Sequence, residues 1–225
     1  MLTRTLEPER MDSAEEAAEY DAMDFATVNR ALVDDVLTAA GRLIEPQVVV
    51  DIGGGNGRQI VDLLVRRPRL VGYIVDPSEA MLAFARTHAE RVEVGDRLHL
   101  TRCDARAIPL DAALAGLVFS NTVLHHIPDP SEVLAQCVRL LAPGGLLFLR
   151  DLLRPESPSR VDALVEQHAA GESPAARELF HRSLHAALSL DELRELLTQP
   201  WAASLTNVTL EASSDRHWTL TARQQ

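Results

Sequence analysis

Val48-Val49-Val50-Asp51-Ile52-Gly53-Gly54-Gly55-Asn56-Gly57 opens as a β-branched run, stops at an acid and breaks into a glycine-rich turn. A buried parallel strand that hands over to a helix around a bound ligand has this composition. β-Branched residues suit a sheet covered on both faces, and glycine lets the backbone approach a ligand where a Cβ would collide. The segment from Arg58 to Arg66 reads as the following helix, its first N–H groups aimed at the same spot. A dinucleotide turn, G-x-G-x-x-G, anchored on Gly53 and Gly55 requires a third glycine at position 58, which is arginine.

Strand and helix patterns alternate outward from this turn. Leu70–Val75 is a second apolar run ending in Asp76, followed by a helix over Ser78–Arg91. Leu98–Arg102 leads into Cys103-Asp104-Ala105, and Leu114–Ser120 leads to Asn121. The spacing predicts a helix over Glu132–Leu141, stopped by Gly144, and a strand over Leu146–Leu149 before Asp151. Such alternation implies right-handed crossovers and a parallel, doubly wound sheet with ligands at the carboxyl ends of its strands. Asp51, Asp76, Asp104, Asn121 and Asp151 all fall at such ends; any one of them alone reads as an ordinary turn residue.

The motif Asp51-x-Gly53-x-Gly55-x-Gly57, with these strand ends behind it, resembles the first motif of the class I (Rossmann-like) S-adenosylmethionine (SAM)-dependent methyltransferases of the bacterial small-molecule type. The resemblance implies an α/β fold with a seven-stranded sheet of order 3-2-1-4-5-7-6, its last strand antiparallel, and a helical lid. It implies SAM as cofactor, with the turn around the amino-acid end of SAM, Asp76 on the ribose hydroxyls, Pro77 and Met81 near the adenine, Asp104 and Ala105 at the adenine amino group, and Asn121 near the sulfur. His125-His126-Ile127-Pro128-Asp129-Pro130 continues as in many such enzymes. The stretches Leu205–Glu211 and His217–Thr221 are similar to the closing antiparallel pair, so the likeness spans nearly the whole chain, specific in the cofactor half and weak in the substrate half.

Composition narrows the alternatives. A length of 225 residues with 46% hydrophobic and 24% charged residues suits one soluble globular domain. No apolar stretch is long enough for a bilayer, and an N-terminus carrying Glu7, Glu9, Asp12, Glu15 and Glu16 lacks the pattern of a signal peptide. A cytoplasmic protein with no membrane partner is expected. Cys103 and Cys137 are the only cysteines, and Cys137 falls on an apolar helix face, which argues against a disulfide or thiol catalyst. A net charge of −11 repels a nucleic-acid backbone; the cluster Arg66-Arg67-Pro68-Arg69 falls at the end of the sheet away from the polar rim. All 22 bases are arginine. With no lysine, a pyridoxal-phosphate Schiff base, a Walker-type phosphate loop and a Tyr-x-x-x-Lys reductase are excluded.

The flanking segments are expected to form the lid of one domain covering 1–225: helices within 1–40, a core over 46–150, an insertion over 156–187, and a closing helix and strands over 189–225. Ser13 with Glu16 and Ser189 with Glu192 are capping boxes, and Ser157-Pro158 and Ser173-Pro174 mark two further helix starts. The first helical segment is expected to run, interrupted, through Val28, Leu32, Val36 and Leu37. Tyr20 either touches the SAM carboxylate, as the resemblance implies, or simply packs. His181 and His185 are one helical turn apart, but no H-E-x-x-H pattern or nearby cysteine supports a metal, and none is expected.

Methyl transfer from a sulfonium is an in-line displacement, so the protein mainly aligns the reactants and excludes water. A base is needed only if the acceptor carries a proton that must leave. His125, His126 and Asp151 are the candidates. Since no acid–histidine pairing is visible in the sequence, alignment alone is the expected mode, with both histidines open to a structural role. A nicotinamide-dependent oxidoreductase and a catalytically silent SAM-binding protein are the rival readings; the acceptor and the oligomeric state are not legible.

Overall fold

Along the central strands the side chains alternate between two apolar layers, and this alternation sets the architecture. The computed structural model describes residues 2–7, 13–23, 25–41 and 47–225; Glu9, Asp12, Asp24 and position 46 lie outside the described residues. The elements are α1 (Ala14–Ala22), α2 (Ala26–Ala40), β1 (Val48–Ile52), α3 (Arg58–Arg66), β2 (Val71–Asp76), α4 (Glu79–Arg91), β3 (Leu98–Arg102), β4 (Ala115–Asn121), α5 (Pro130–Leu140), β5 (Leu141–Leu152), α6 (Pro158–Ala169), α7 (Pro174–Ala186), α8 (Leu190–Leu196), β6 (Leu205–Ala212) and β7 (His217–Gln224).

Val49, Leu117, Phe119, Leu146 and Phe148 face one layer with α2, α3 and α4. Val50, Ile52, Val118, Leu147 and Leu149 face the other, with α5 and α8. A two-residue period with helices on both faces is the packing of a doubly wound sheet. The strand order is β3-β2-β1-β4-β5-β7-β6. β1 to β5 pair in parallel, and β7 runs antiparallel to both β5 and β6. Fold class and order match the sequence expectation.

Two helix-boundary expectations need correction. Asp129 accepts from the Ser131 N–H with Pro130 in the first helical turn, so α5 begins at Pro130 rather than Glu132; a proline at that position loses no intrahelical hydrogen bond. The helix ends at Leu140, and Leu141 already pairs with Ala115, before the next pair, Leu117 with Leu146. Gly144 therefore belongs to an excursion inside β5 and does not stop the helix. Val28 is 51% exposed, while Leu32, Val33, Val36 and Ala40 carry the buried face of α2. That face joins the core layer, so α2 is a structural helix of the sandwich.

What stands over the carboxyl rim is different. α6 and α7 form a small cluster of their own, Val161, Leu164, Val165 and Leu184 packing on Leu152 at the end of β5. Leu2 packs there too. The strap formed by residues 2–7 is clamped by Arg4, whose guanidinium donates to the carbonyls of Ala186 at 2.8 Å and Ile127 at 2.9 Å, and by the Thr5 N–H, which donates to the His185 carbonyl.

Candidate functional site

The glycine turn has the backbone its sequence requires. Gly53, Gly55 and Gly57 all have positive φ, a region that side chains with a Cβ enter at a cost. At Gly53 a Cβ would lie 2.4 Å from Val123 Cγ2, so the turn and the segment after β4 touch with no room between them. At Gly57, with φ 70°, a Cβ would meet Ala85 of α4.

Two carboxylates organise the turn. Asp76 Oδ2 accepts from the Gly55 N–H at 2.9 Å, and Asp76 Oδ1 from the Ser78 N–H at 2.9 Å. One side chain thus ties the turn to the end of β2 and the start of α4. Asp51 is 1% exposed, and its Oδ2 has no hydrogen-bond partner. Burial, reinforced by the nearby charge of Asp76, pushes its carboxyl well above the usual range, as expected for an acid held out of water without a cation. Met81 is buried, its methyl against Gly55.

The remaining expected cofactor residues lie around this centre. Pro77 is exposed beside Asp76. Asp104 is partly exposed, accepts from the Arg106 N–H at 2.9 Å, and pairs with the Arg106 guanidinium at 2.6 Å. Ala105 is buried. Asn121 ends β4, and the next residue, Thr122, has φ 56°, an uncommon conformation for a β-branched residue that redirects the chain at once toward the histidines. Tyr20 packs on Phe25 with the rings tilted by 44°, centroids 5.5 Å apart.

Tyr20 is brought to the rim by its neighbour Asp21, which the sequence reading did not single out. Asp21 Oδ1 accepts from Asn56 Nδ2 at 2.8 Å and lies 2.7 Å from His88 Nε2; the Arg58 guanidinium also reaches it. Burial raises the Asp21 carboxyl, but the hydrogen bonds from His88 and Asn56 outweigh it and the net shift is downward. α1 is latched onto the glycine turn and α4.

His125, His126 and Asp151 do come together. Leu124–His126 is a short 3-10 turn, and the His125 Nδ1 lies 2.6 Å from Asp151 Oδ1. Asp151 also accepts from the His125 N–H at 3.1 Å and the Leu152 N–H at 2.6 Å. Both side chains are buried. Burial pushes the Asp151 carboxyl up, yet the charge and hydrogen bond of His125 and the two backbone donors hold it below its ordinary value. No spacing in the sequence shows this acid–histidine pair, because the two are far apart in the chain and adjacent only because β4 and β5 are. His126 stacks on His125, centroids 3.9 Å apart. Burial and the neighbouring His125 lower its pKa to about 4, against weaker opposing effects of Asp151 and the Glu7 backbone.

Glu7 is a second residue missed. It is 3% exposed, accepts from the Ser183 hydroxyl at 2.8 Å and faces the two histidines. His181 and His185 face each other with tilted rings, centroids 4.8 Å apart, and Asp162 Oδ1 lies 3.6 Å from His181 Nε2, but among the described residues they do not form a cluster of three mutually close ligand atoms.

Comparison with known proteins agrees with this layout. Residues 50–149 match the model of a methyltransferase domain. The chain is 33% identical over 159 residues to a 27-O-demethylrifamycin SV methyltransferase of Amycolatopsis mediterranei, covering 69% of this chain and 55% of that protein. It is 31% identical over 201 residues to a malonyl-(acyl-carrier protein) O-methyltransferase of Xylella fastidiosa, covering 79% of this chain and 63% of that protein. The chain thus spans a little over half to under two thirds of the length of these curated relatives. A crystal structure of a SAM-dependent methyltransferase from Aquifex aeolicus superposes with TM-score 0.68 at 17% identity, over 95% of this chain and 99% of that one.

Proposed function

We propose, from the premise that residues 50–149 are a class I, Rossmann-like methyltransferase domain, that the chain transfers a methyl group from SAM to a small-molecule acceptor. When bound, SAM supplies an electrophilic methyl group on a sulfonium. The observation that carries the reading is the buried, unpartnered Oδ2 of Asp51 beneath a turn of left-handed glycines. A cationic ligand in that turn restores the carboxylate, and the amino-acid end of SAM carries an ammonium group; a phosphate there would face Asp51 and Asp76 as two repelling acids.

The residues divide the work. Gly53, Gly55 and Gly57 leave the cradle open, Asp76 fixes the turn and stands at the ribose, Met81 and Asp104 flank the adenine, Asn121 stands near the sulfur, and Tyr20 reaches the SAM carboxylate. His125, oriented by Asp151, faces the acceptor and accepts its proton through the ring nitrogen that Asp151 does not engage. The 2–7 strap, α1 and the α6–α7 pair form a lid that excludes water. A net charge of −11 supports a small-molecule acceptor over a nucleic acid, and a cytoplasmic location belongs to the same reading. The relatives' printed names, a 27-O-demethylrifamycin SV methyltransferase and a malonyl-(acyl-carrier protein) O-methyltransferase, favour oxygen as the attacking atom.

Calorimetry with SAM and S-adenosylhomocysteine, each against the purified chain, tests the cofactor. Incubation with methyl-labelled SAM and a metabolite extract tests transfer. Binding of NAD in place of SAM refutes the reading; SAM binding without any labelled product in a broad set of extracts favours a silent binding protein.

A further inference from the structure

Three side chains converge at the back of the rim from parts of the chain that share no sequence motif. Glu7 comes from the strap, and His125 and His126 from the 3-10 turn; one ligand atom from each lies within 4.8 Å of the other two. Their hydrogen bonding is incomplete. Glu7 Oε1 and His126 Nδ1 are both buried and lack a partner, and the nearest cation to Glu7 Oε1, the half-exposed Arg182, is 3.8 Å away. His125 has Nδ1 engaged by Asp151, which leaves Nε2 as its open nitrogen.

Buried polar atoms without partners are rare and destabilising. A carboxylate oxygen and two imidazole nitrogens within 4.8 Å of one another are three potential lone-pair donors to a cation. The outer contacts fit as well. A metal-bound histidine usually gives its other ring N–H to a carboxylate, which fixes tautomer and orientation, and Asp151 stands in that position against His125. Ser183, donating to Glu7 Oε2 at 2.8 Å, leaves Oε1 as the ligand atom.

We propose that Glu7, His125 and His126 form a binding site for a divalent first-row metal ion, with Zn2+ the best-suited occupant. Two imidazoles and a carboxylate match its preference for nitrogen and oxygen donors and leave an open coordination position. Because Glu7 belongs to the strap, an ion held there also pins residues 2–7 to the rim. The sequence reading expected no metal at all, and the pair it weighed, His181 and His185, is not part of this cluster.

The test uses the whole chain, stripped with EDTA, exchanged into metal-free buffer and titrated with ZnCl2 by calorimetry. One ion per chain is expected in wild type. Glu7→Gln and His126→Ala are each expected to weaken binding by at least about tenfold, and Asp151→Asn, acting through His125, by about 10–100-fold. His185→Ala should bind as wild type does. Circular dichroism before titration identifies variants that have not folded. For any that fail, Co2+ added to wild type gives a second readout, the visible absorption of cobalt bound by histidine nitrogen. No stoichiometric Zn2+ binding to wild type, or binding that folded Glu7→Gln and His126→Ala retain in full, overturns the proposal. An ion on the open nitrogen of His125 takes the place of the proposed base, so the two roles are alternatives for that nitrogen. The titration needs neither SAM nor an acceptor, so loss of this site leaves the transfer reading standing, and the reverse also holds.

Discussion

Asp151→Asn is the substitution that most directly separates base-assisted transfer from transfer by alignment. The side chain keeps its shape and loses one acceptor. In the native pair Oδ1 meets both His125 Nδ1 and the Leu152 N–H, while Oδ2 meets the His125 N–H. An asparagine has two ways to sit there. With its oxygen in the Oδ1 position, its NH2 group confronts the His125 backbone N–H and leaves two buried donors facing each other, at a cost of about 1–3 kcal/mol in stability. With the amide reversed, the NH2 donates to Nδ1 and forces the proton onto Nε2, the tautomer that cannot accept one from the acceptor. Either way the oriented base is damaged. The rate of methyl transfer should fall by about 10²–10⁴ while SAM affinity stays within a fewfold, because the proton moves only in the transfer step. Single-turnover formation of labelled product gives the rate and calorimetry the affinity. A folded Asp151→Asn that transfers within about tenfold of wild type refutes the base and returns the mechanism to alignment.

Other consequences follow from the same geometry. Asp76→Ala removes the acceptor of the Gly55 and Ser78 N–H groups as well as the expected ribose contact, so SAM affinity should drop by about 1.5–3 kcal/mol; calorimetry showing no change removes Asp76 from the cofactor site. Gly53→Ala must place a Cβ against Val123 at φ 69° and should destabilise the fold by about 1–3 kcal/mol, checked by urea unfolding. His217 is mostly buried, and burial followed by the charges of Arg216 and Arg150 lowers its pKa to about 4. The unfolded chain, with an ordinary histidine near 6.5, binds this proton first. His217 therefore contributes no penalty above about pH 6.5, and stability falls as pH drops from there toward 4, by up to about 3 kcal/mol; His217→Gln should flatten that part of the pH–stability curve, and an unchanged slope rules the effect out. Arg4→Ala removes the clamp on Ala186 and Ile127 and should slow transfer more than it lowers the midpoint of thermal unfolding; equal loss of both refutes a lid role for the strap.

The parts of the site that were legible in sequence are those whose partners are set by the sheet itself. A β-branched run ending in Asp51, three alternate glycines and the capping Ser78 each carry a local signal, and parallel topology then places the strand ends in one rim without further information. Helix boundaries failed where two local signals competed. Glu132 reads as the start of α5 although Asp129-Pro130 caps it, and Gly144 reads as a stop although pairing of Leu141 with Ala115 has already drawn the chain into β5.

The pairings that distinguish this site from a generic one carry no such signal. Asp151 meets His125, Asp21 meets His88 and Asn56, and Glu7 meets the histidine pair, each across a separation that neither 3.6- nor 2-residue periodicity can report. Glu7 is the plainest case. In sequence it is one acid among five near the N-terminus, indistinguishable from a solvated neighbour, and only the clamp of Arg4 on the carbonyls of Ala186 and Ile127 turns it inward. Five carbonyls, those of Ala186, Leu124, His125, Ile127 and Pro128, hold the Arg4 guanidinium, and the Ser183 hydroxyl donates to the buried Glu7 carboxylate. Order in the strap is thus determined by Arg4, whereas the chemistry it delivers is determined by Glu7. Charge removal at Glu7 should therefore change what the rim binds while leaving the strap in place, and loss of Arg4 should release both.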